Sequence, residues 1–375
     1  MKNNGKIHRL LFMNLKKILC IRADNMGDLL MSSPAFRALK ETFNAEITLL
    51  TSTMAAPLAQ YVEEVDEVLQ FDIPWVKTDR PGSEDQFFET ISRLKKMQFD
   101  AALIFTVYSQ NPLPAALMTY LADIPVRAAY CRENPYQLLT HWIPDQEPYT
   151  FVRHQVKRDL ELAAYLGAST ADDKIRLHIT DNSWPVLRPK LTGNDIDPDK
   201  PWIVMHPGVS EKKRRYPNEL WAETAALLSN DFQIVFTGSS SDKTLTDDIV
   251  KLTGKKAYTL AGQLDMGEFM LLVKKSPLII TVNTLTSHLA AAFQIPQVVL
   301  YALTNPQHLP WRAPGKAFFF QVPEELKSKN EVVRFVDERY FSKQLPLPLP
   351  QEIASAALKM LSSNSIEYFP ELVSY

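Results

Sequence analysis

Short runs of branched aliphatic residues alternate with stretches of helical spacing along most of this chain. Ile18, Leu19, Cys20 and Ile21 form a run of the length expected of a strand buried on both faces. A polar turn from Arg22 to Asp28 follows, and then Phe36, Leu39 and Phe43 recur on one helical face. Gly27 is expected to turn the backbone sharply, leaving Asp28 at or near a helix start. Further strands are predicted at 46–51, 65–71, 100–107 and 125–130, with helices at 84–98, 114–121 and 151–166. Gly167 closes the last of these as a C-cap. Residues 131–149 break the rhythm. Strands separated by helices imply a parallel sheet with right-handed crossovers.

The second half repeats the pattern. Strands are predicted at 202–205, 233–237, 278–282 and 297–301, and helices at 218–228, 266–275 and 289–293. The strand ends carry His206-Pro207-Gly208, Gly238, Gly262 and the run Asn283 to His288. Glycine or small polar residues at a helix start are how α/β domains offer backbone N–H groups to phosphate. Between the halves, 181–201 holds Pro185, Pro189, Gly193, Pro198 and Pro201, a linker composition. This gives an expected domain at 1–180, a linker at 181–201, a second domain at 202–345 and a final helix and tail at 346–375. Asp195, Asp197 and Asp199 within the linker superficially match a D-x-D metal site. They sit among chain breakers rather than after a buried strand, so a solvated linker is the reading and no metal is expected.

Composition fits two soluble domains: 375 residues, 46% hydrophobic and 22% charged. The net charge of −2 gives no general attraction to nucleic acid. Cys20 and Cys131 make no disulfide framework and read as reduced thiols of a cytoplasmic protein. No apolar run approaches the ~20 residues that span a bilayer. The basic, partly apolar stretch 1–17 lacks a cleavage site. It reads as an ordinary extension, with a peripheral contact at the cytoplasmic face of the inner membrane as the alternative.

Two chemistries stand out. Asp28 is either a helix cap or a general base facing a cleft. Lys212, Lys213, Arg214 and Arg215 are either a solvated face or a grip for a diphosphate, since guanidinium binds phosphate bidentately.

The run R-x-D-x-x-G-D-x-x-x-x-x-P-A-x-R-A-L from Arg22 resembles the amino-terminal signature of glycosyltransferase family 9, which contains the bacterial lipopolysaccharide heptosyltransferases. The H-P-G, the basic pair with an aromatic and Pro, T-G, L-A-G and T-x-x-x-H-L-A-A-A also follow in that family's order. The resemblance covers about 17–310. It implies a GT-B fold, two facing doubly wound Rossmann-like domains, and inverting sugar transfer without metal or cofactor. The donor would be a nucleotide-diphosphate sugar such as ADP-heptose, and the acceptor a cell-envelope glycolipid. Asp28 matches the family's base. Ser210, Arg214, Arg215, Gly238, Leu264, Asn283, Thr284 and His288 fall at donor-side positions; His288 is otherwise a buried helix histidine.

Tyr108, Ser109, Gln110 and Asn111, with Arg127, Arg132 and His154, are candidate acceptor contacts by location. Asn283 and Leu285 depart from the family's usual Asp and Gly, which keeps a non-catalytic sugar-nucleotide or glycolipid binder open. A dinucleotide oxidoreductase ranks low because no G-x-G-x-x-G follows a strand. The final helix, 352–361, is expected to cross back to the first domain.

Overall fold

The protein, seen in a computed structural model, is described for residues 14–76, 78, 81–254, 256–341, 345–362 and 367–370. The stretch 1–13 and most of 366–375 lie outside the described residues. The chain divides into two compact units, Met1–His178 and Ile179–Tyr375.

The first unit runs β1 (Lys17–Ile21), α1 (Met26–Phe43), β2 (Glu46–Thr51), α2 (Ala56–Ala59), β3 (Glu67–Gln70), α3 (Glu84–Met97), β4 (Ala101–Ile104), α4 (Leu113–Leu121), β5 (Val126–Cys131), β6 (His141–Pro144) and α5 (Gln155–Ala164). Its six strands pair in parallel in the order β3-β2-β1-β4-β5-β6. Order reverses between β1 and β4, and ligands of such sheets bind beyond the carboxyl ends of the strands there.

The second unit runs α6 (Trp184–Gly193), β7 (Trp202–His206), α7 (Asn218–Leu228), β8 (Gln233–Phe236), α8 (Lys243–Leu252), β9 (Tyr258–Thr259), α9 (Met266–Lys275), β10 (Ile279–Val282), α10 (Leu285–Ala292), β11 (Gln297–Ala302), β12 (Gly315–Phe320), α11 (Glu331–Tyr340) and α12 (Pro350–Ser362). Its sheet, β12-β11-β10-β7-β8-β9, is again all parallel and reverses between β7 and β10. The first unit's strand order has been used twice.

Local chemistry explains the elements. The central strands are buried along most of their length, so each reads as a nearly continuous apolar run. Helix α3 starts with a reciprocal cap: Gln86 N donates to Ser83 Oγ at 3.2 Å, and Ser83 N donates to Gln86 Oε1 at 2.9 Å. Asp265 and Glu268 do the same for α9. In α1, Pro34 cannot donate to the Leu30 carbonyl, and Ser33 Oγ does so instead at 2.8 Å.

Four expectations need correcting. Gly27 is helical rather than a sharp turn, because α1 is capped by Asn25 and already includes it; Asp28 lies in the first helical turn, near the helix start as expected. Most of the stretch expected as a linker is structured: α6 tolerates Pro185 at its first turn, buries Leu187 and Leu191, and ties Lys190 to Glu268 at 2.7 Å. The break at 131–149 contains the edge strand β6, and the segment beyond residue 310 contains β12 and α11. Helix α12, expected to cross back, belongs to the second unit. Its Ile353, Ala354 and Ala357 join Trp221 and Ala225 of α7 in one core, and Gln351 donates to Glu223 at 2.6 Å.

Candidate active site

In the first unit, Asp28 stands in the first turn of α1, beyond the connection that follows β1, and is 7% exposed. Arg22 Nη2 donates to its Oδ1 at 3.2 Å, and Asn25 Nδ2 donates to its Oδ2 at 3.3 Å. Arg22 is fully buried, with Nε 3.3 Å from Asp24 Oδ2. Asp24 also accepts from Gln110 Nε2 at 2.7 Å, which ties the β4–α4 loop to this cluster. Across α1, Ser32 Oγ donates to Asp159 Oδ2 at 2.6 Å, and Gln155 Nε2 donates to Oδ1 at 2.7 Å. Burial pushes the carboxyls of Asp24 and Asp159 up to about 6, against the pull of Arg22 in the opposite direction.

A second charge knot lies beside it. Arg158 donates to both oxygens of Asp145 at 2.9 Å and to Glu147 at 2.8 Å, and its Nε reaches the Thr106 carbonyl at 2.9 Å. Arg158, Asp145 and Glu147 have almost no exposed side chain. A forked, fully paired arrangement of this kind is what makes buried charge tolerable.

The candidate acceptor residues divide by strand end. Tyr108 is buried just past β4, and Arg132 follows β5, where its guanidinium donates to the carbonyls of Tyr108 and Glu147 and lies over the Tyr149 ring. Gln110 joins the Asp24 cluster. His154 is buried and accepts from Val156 N at 3.1 Å, and the exposed Asn111 accepts from Leu113 N at 2.9 Å. Arg127 is a correction. It sits near the start of β5, and its guanidinium is spent on the carbonyls of Ile124, Gln137 and Leu138. It clamps the β5–β6 connection at the amino end of the strands, away from the switch point.

The second unit meets its switch point with different groups. Arg214, half-buried, donates from Nη1 to the Asn283 carbonyl at 3.2 Å, placing a guanidinium over the end of β10. Its Nε is buried without a hydrogen-bond partner. Ser210 and Arg215 are exposed in the same connection. Thr284 is the N-cap of α10, its hydroxyl makes no cap bond, and it lies 3.4 Å from the Thr281 hydroxyl. That leaves hydroxyl and backbone donors at a positive helix end, an arrangement suited to phosphate. His288 lies in the same helix, 5% exposed.

Asn283 ties β10 to β11: its amide donates to Thr304 Oγ1 at 3.2 Å and accepts from Ala302 N at 3.3 Å. Leu285 starts α10 with no left-handed backbone, so the position requires no glycine here.

Gly208 and Gly238 close on the Asp242 carboxylate, where an added Cβ would come within 2.7 Å and 2.6 Å of its side chain. At Gly262, φ +73°, an added Cβ would lie 2.8 Å from Ser240 Cα, so the position could carry no side chain. Leu264 is half-buried between β9 and α9. His206 at the end of β7 pairs with Thr237 Oγ1 at 2.9 Å and packs on Phe269; burial pushes its imidazole down to about 4. Sequence reasoning did not single out Arg22, Asp24, Asp159 or His206 as site residues. The signal for the first two was the R-x-D that opens the quoted run.

Among the described residues, no cluster of His, Cys, Asp or Glu could hold a metal, and no helix is long and apolar enough to cross a membrane. Asp197 and Asp199 of the linker pair with Lys200 and Arg188.

The sequence model of glycosyltransferase family 9 (heptosyltransferase) matches residues 88–333. Lipopolysaccharide heptosyltransferase 2 of Salmonella typhimurium is 25% identical over 309 residues, covering 78% of this chain and 85% of that protein. The solved Escherichia coli ADP-heptose lipopolysaccharide heptosyltransferase II shares 22% identity with a TM-score of 0.68, over 92% of this chain and 98% of that one. An Escherichia coli heptosyltransferase solved with ADP gives 18% and 0.61, over 86% and 99%. The two-unit architecture is that of the GT-B fold. The family match begins beyond Asp28, so the case for that carboxylate is made by its placement.

Proposed function

The chain belongs to glycosyltransferase family 9, and from that premise we propose that it moves a heptose, or a closely related sugar, from an ADP-linked donor to a lipopolysaccharide-type glycolipid. The relatives named for that reaction support the substrate class, and the solved neighbours that hold ADP or an ADP-heptose analogue support the donor. The transfer is inverting and uses no metal. Asp28 takes the proton from the acceptor hydroxyl as its oxygen attacks the anomeric carbon, and the bond from that carbon to the diphosphate oxygen breaks. The diphosphate leaves with the electron pair. Arg214 and Arg215, with the hydroxyl and N–H groups at the start of α10, neutralise that charge.

The observation that carries this reading is the placement of Asp28: a nearly buried carboxylate past β1, oriented from both sides by Arg22 and Asn25. Tyr108, Gln110 and Arg132 gather at the same strand ends and are the acceptor contacts of this reading. The intact Asp28 favours an enzyme over a non-catalytic binder. The protein works on the cytoplasmic side, in peripheral contact with the membrane that carries its acceptor. A panel of ADP-, GDP- and UDP-sugars assayed by thermal shift tests the donor. ADP-heptose should raise the melting temperature by several degrees at about 100 times its dissociation constant, which corresponds to about 2.7 kcal/mol; a response to UDP- or GDP-sugars alone would overturn the donor assignment.

A further inference from the structure

The geometry assigns Arg22 a specific task. We propose that Arg22 is a positioning residue for Asp28: its guanidinium fixes the carboxylate's rotamer and keeps it ionised, while Asp24 anchors the other side of the same guanidinium. This rests on Asp28 being the base.

The mount is rigid. Arg22 N donates to the Leu50 carbonyl at 3.0 Å, and its own carbonyl accepts from Thr51 Oγ1 at 2.7 Å, so its main chain is held to the end of β2. The side chain is wholly buried. It reaches Asp28 through Nη2 at 3.2 Å and Asp24 through Nε at 3.3 Å. Asp24 is itself held by Gln110 Nε2 at 2.7 Å, and its carbonyl by Ser52 Oγ at 2.9 Å. Side chains from three connections, after β1, β2 and β4, therefore fix one guanidinium, which in turn fixes one carboxylate. Supporting groups locked in this way are what hold a reacting group to the tolerance that proton transfer demands.

The charge balance points the same way. The charged groups facing Arg22 are Asp24 and Asp28 from its own connection, with Asp159 and Arg158 from α5. Three carboxylates thus share this guanidinium, and Arg158 is already taken up by Asp145 and Glu147. Without the Arg22 guanidinium, Asp28 would lose an attraction at 3.2 Å and keep the repulsion of Asp24, so its proton affinity would rise. Lysine would keep the charge but not the fork that spans two carboxylates.

The test is the titration of Asp28 itself, followed by NMR of carboxyl-labelled aspartate in the full-length protein, with Asp28→Asn identifying the resonance. In Arg22→Met the Asp28 midpoint should rise by about one pH unit or more, with Arg22→Lys in between. Turnover should fall about 100-fold in Arg22→Met, with the KM for donor unchanged. The acid limb of its pH profile should move with the NMR midpoint. Should Arg22→Met fail to fold, Arg22→Lys decides alone, by its midpoint and its acid limb. An Asp28 midpoint equal to wild type in every folded variant overturns the proposal. A wild-type protein that neither binds nor transfers any nucleotide sugar refutes the functional reading, and the titration still decides on Arg22.

Discussion

At the strand ends of the first unit, charge is packed inside: Arg22, Asp24, Asp28, Asp145, Glu147 and Arg158 are nearly all buried and cross-bonded. At the same place in the second unit, on the same strand order, stand glycines, hydroxyls and half-exposed guanidinium. In the proposed reading, the first arrangement holds one acid still, and the second keeps backbone and cations accessible to a ligand that brings its own negative charge. One scaffold serves both because a doubly wound sheet fixes where the strands end and leaves the connections to choose the chemistry.

The comparison breaks most visibly at Arg158. Replacing it with leucine removes the cation that Asp145 and Glu147 share, while Arg132 stays 3.8 Å from Asp145 and Arg153 stays 3.1 Å from Glu147. We expect a loss of about 3 kcal/mol, the lower end of what breaking a buried pair costs, read by denaturant unfolding with a probe in the first unit. An equal change at the exposed Arg215 should cost less than about 0.5 kcal/mol. Arg214→Ala should sharpen the contrast. It removes charge-assisted contacts worth about 1.5–3 kcal/mol, lowering ADP affinity by about 10- to 100-fold in calorimetry while stability hardly changes.

A smaller effect comes from pH, and the units should respond in opposite senses. Burial raises Asp24 and Asp159 to about 6, so the folded first unit binds more protons than the unfolded chain between about pH 4 and 6. Its stability therefore rises as pH falls through that window. His206 is lowered to about 4, so the folded second unit binds fewer protons between about pH 4 and 6.5 and loses stability on acidification. Hydrogen exchange at pH 6.5 and 4.5, corrected for intrinsic rates, should show β1 better protected and β7 less, by about 1–2 kcal/mol each. Parallel changes in both strands would refute the assignment.

Much of this was legible in the sequence. The helices Asn218–Leu228 and Met266–Lys275 and the strand Glu46–Thr51 fall at their expected bounds, because caps and periodicity mark them locally. The edge strand β6 was missed: its residues, His-Trp-Ile-Pro, are half-exposed or exposed and end in proline. Helix α6 was missed because Pro185 and Pro189 read as breakers, yet Pro185 falls in the first turn, where proline is tolerated, and the helix continues through Pro189. Arg127 was placed near the acceptor because sequence shows proximity to β5, whereas register decides which end of the strand it occupies. The Arg22 cluster joins residues far apart in the chain, such as Gln110 and Asp159, and only folding brings them together.

The most direct measurement is sugar transfer by Asp28→Asn, run beside ADP-heptose binding on the same sample. Asparagine preserves the shape and the contact with Arg22 but cannot take a proton. Near-complete loss of turnover with donor affinity intact is the predicted result; wild-type turnover would contradict the account.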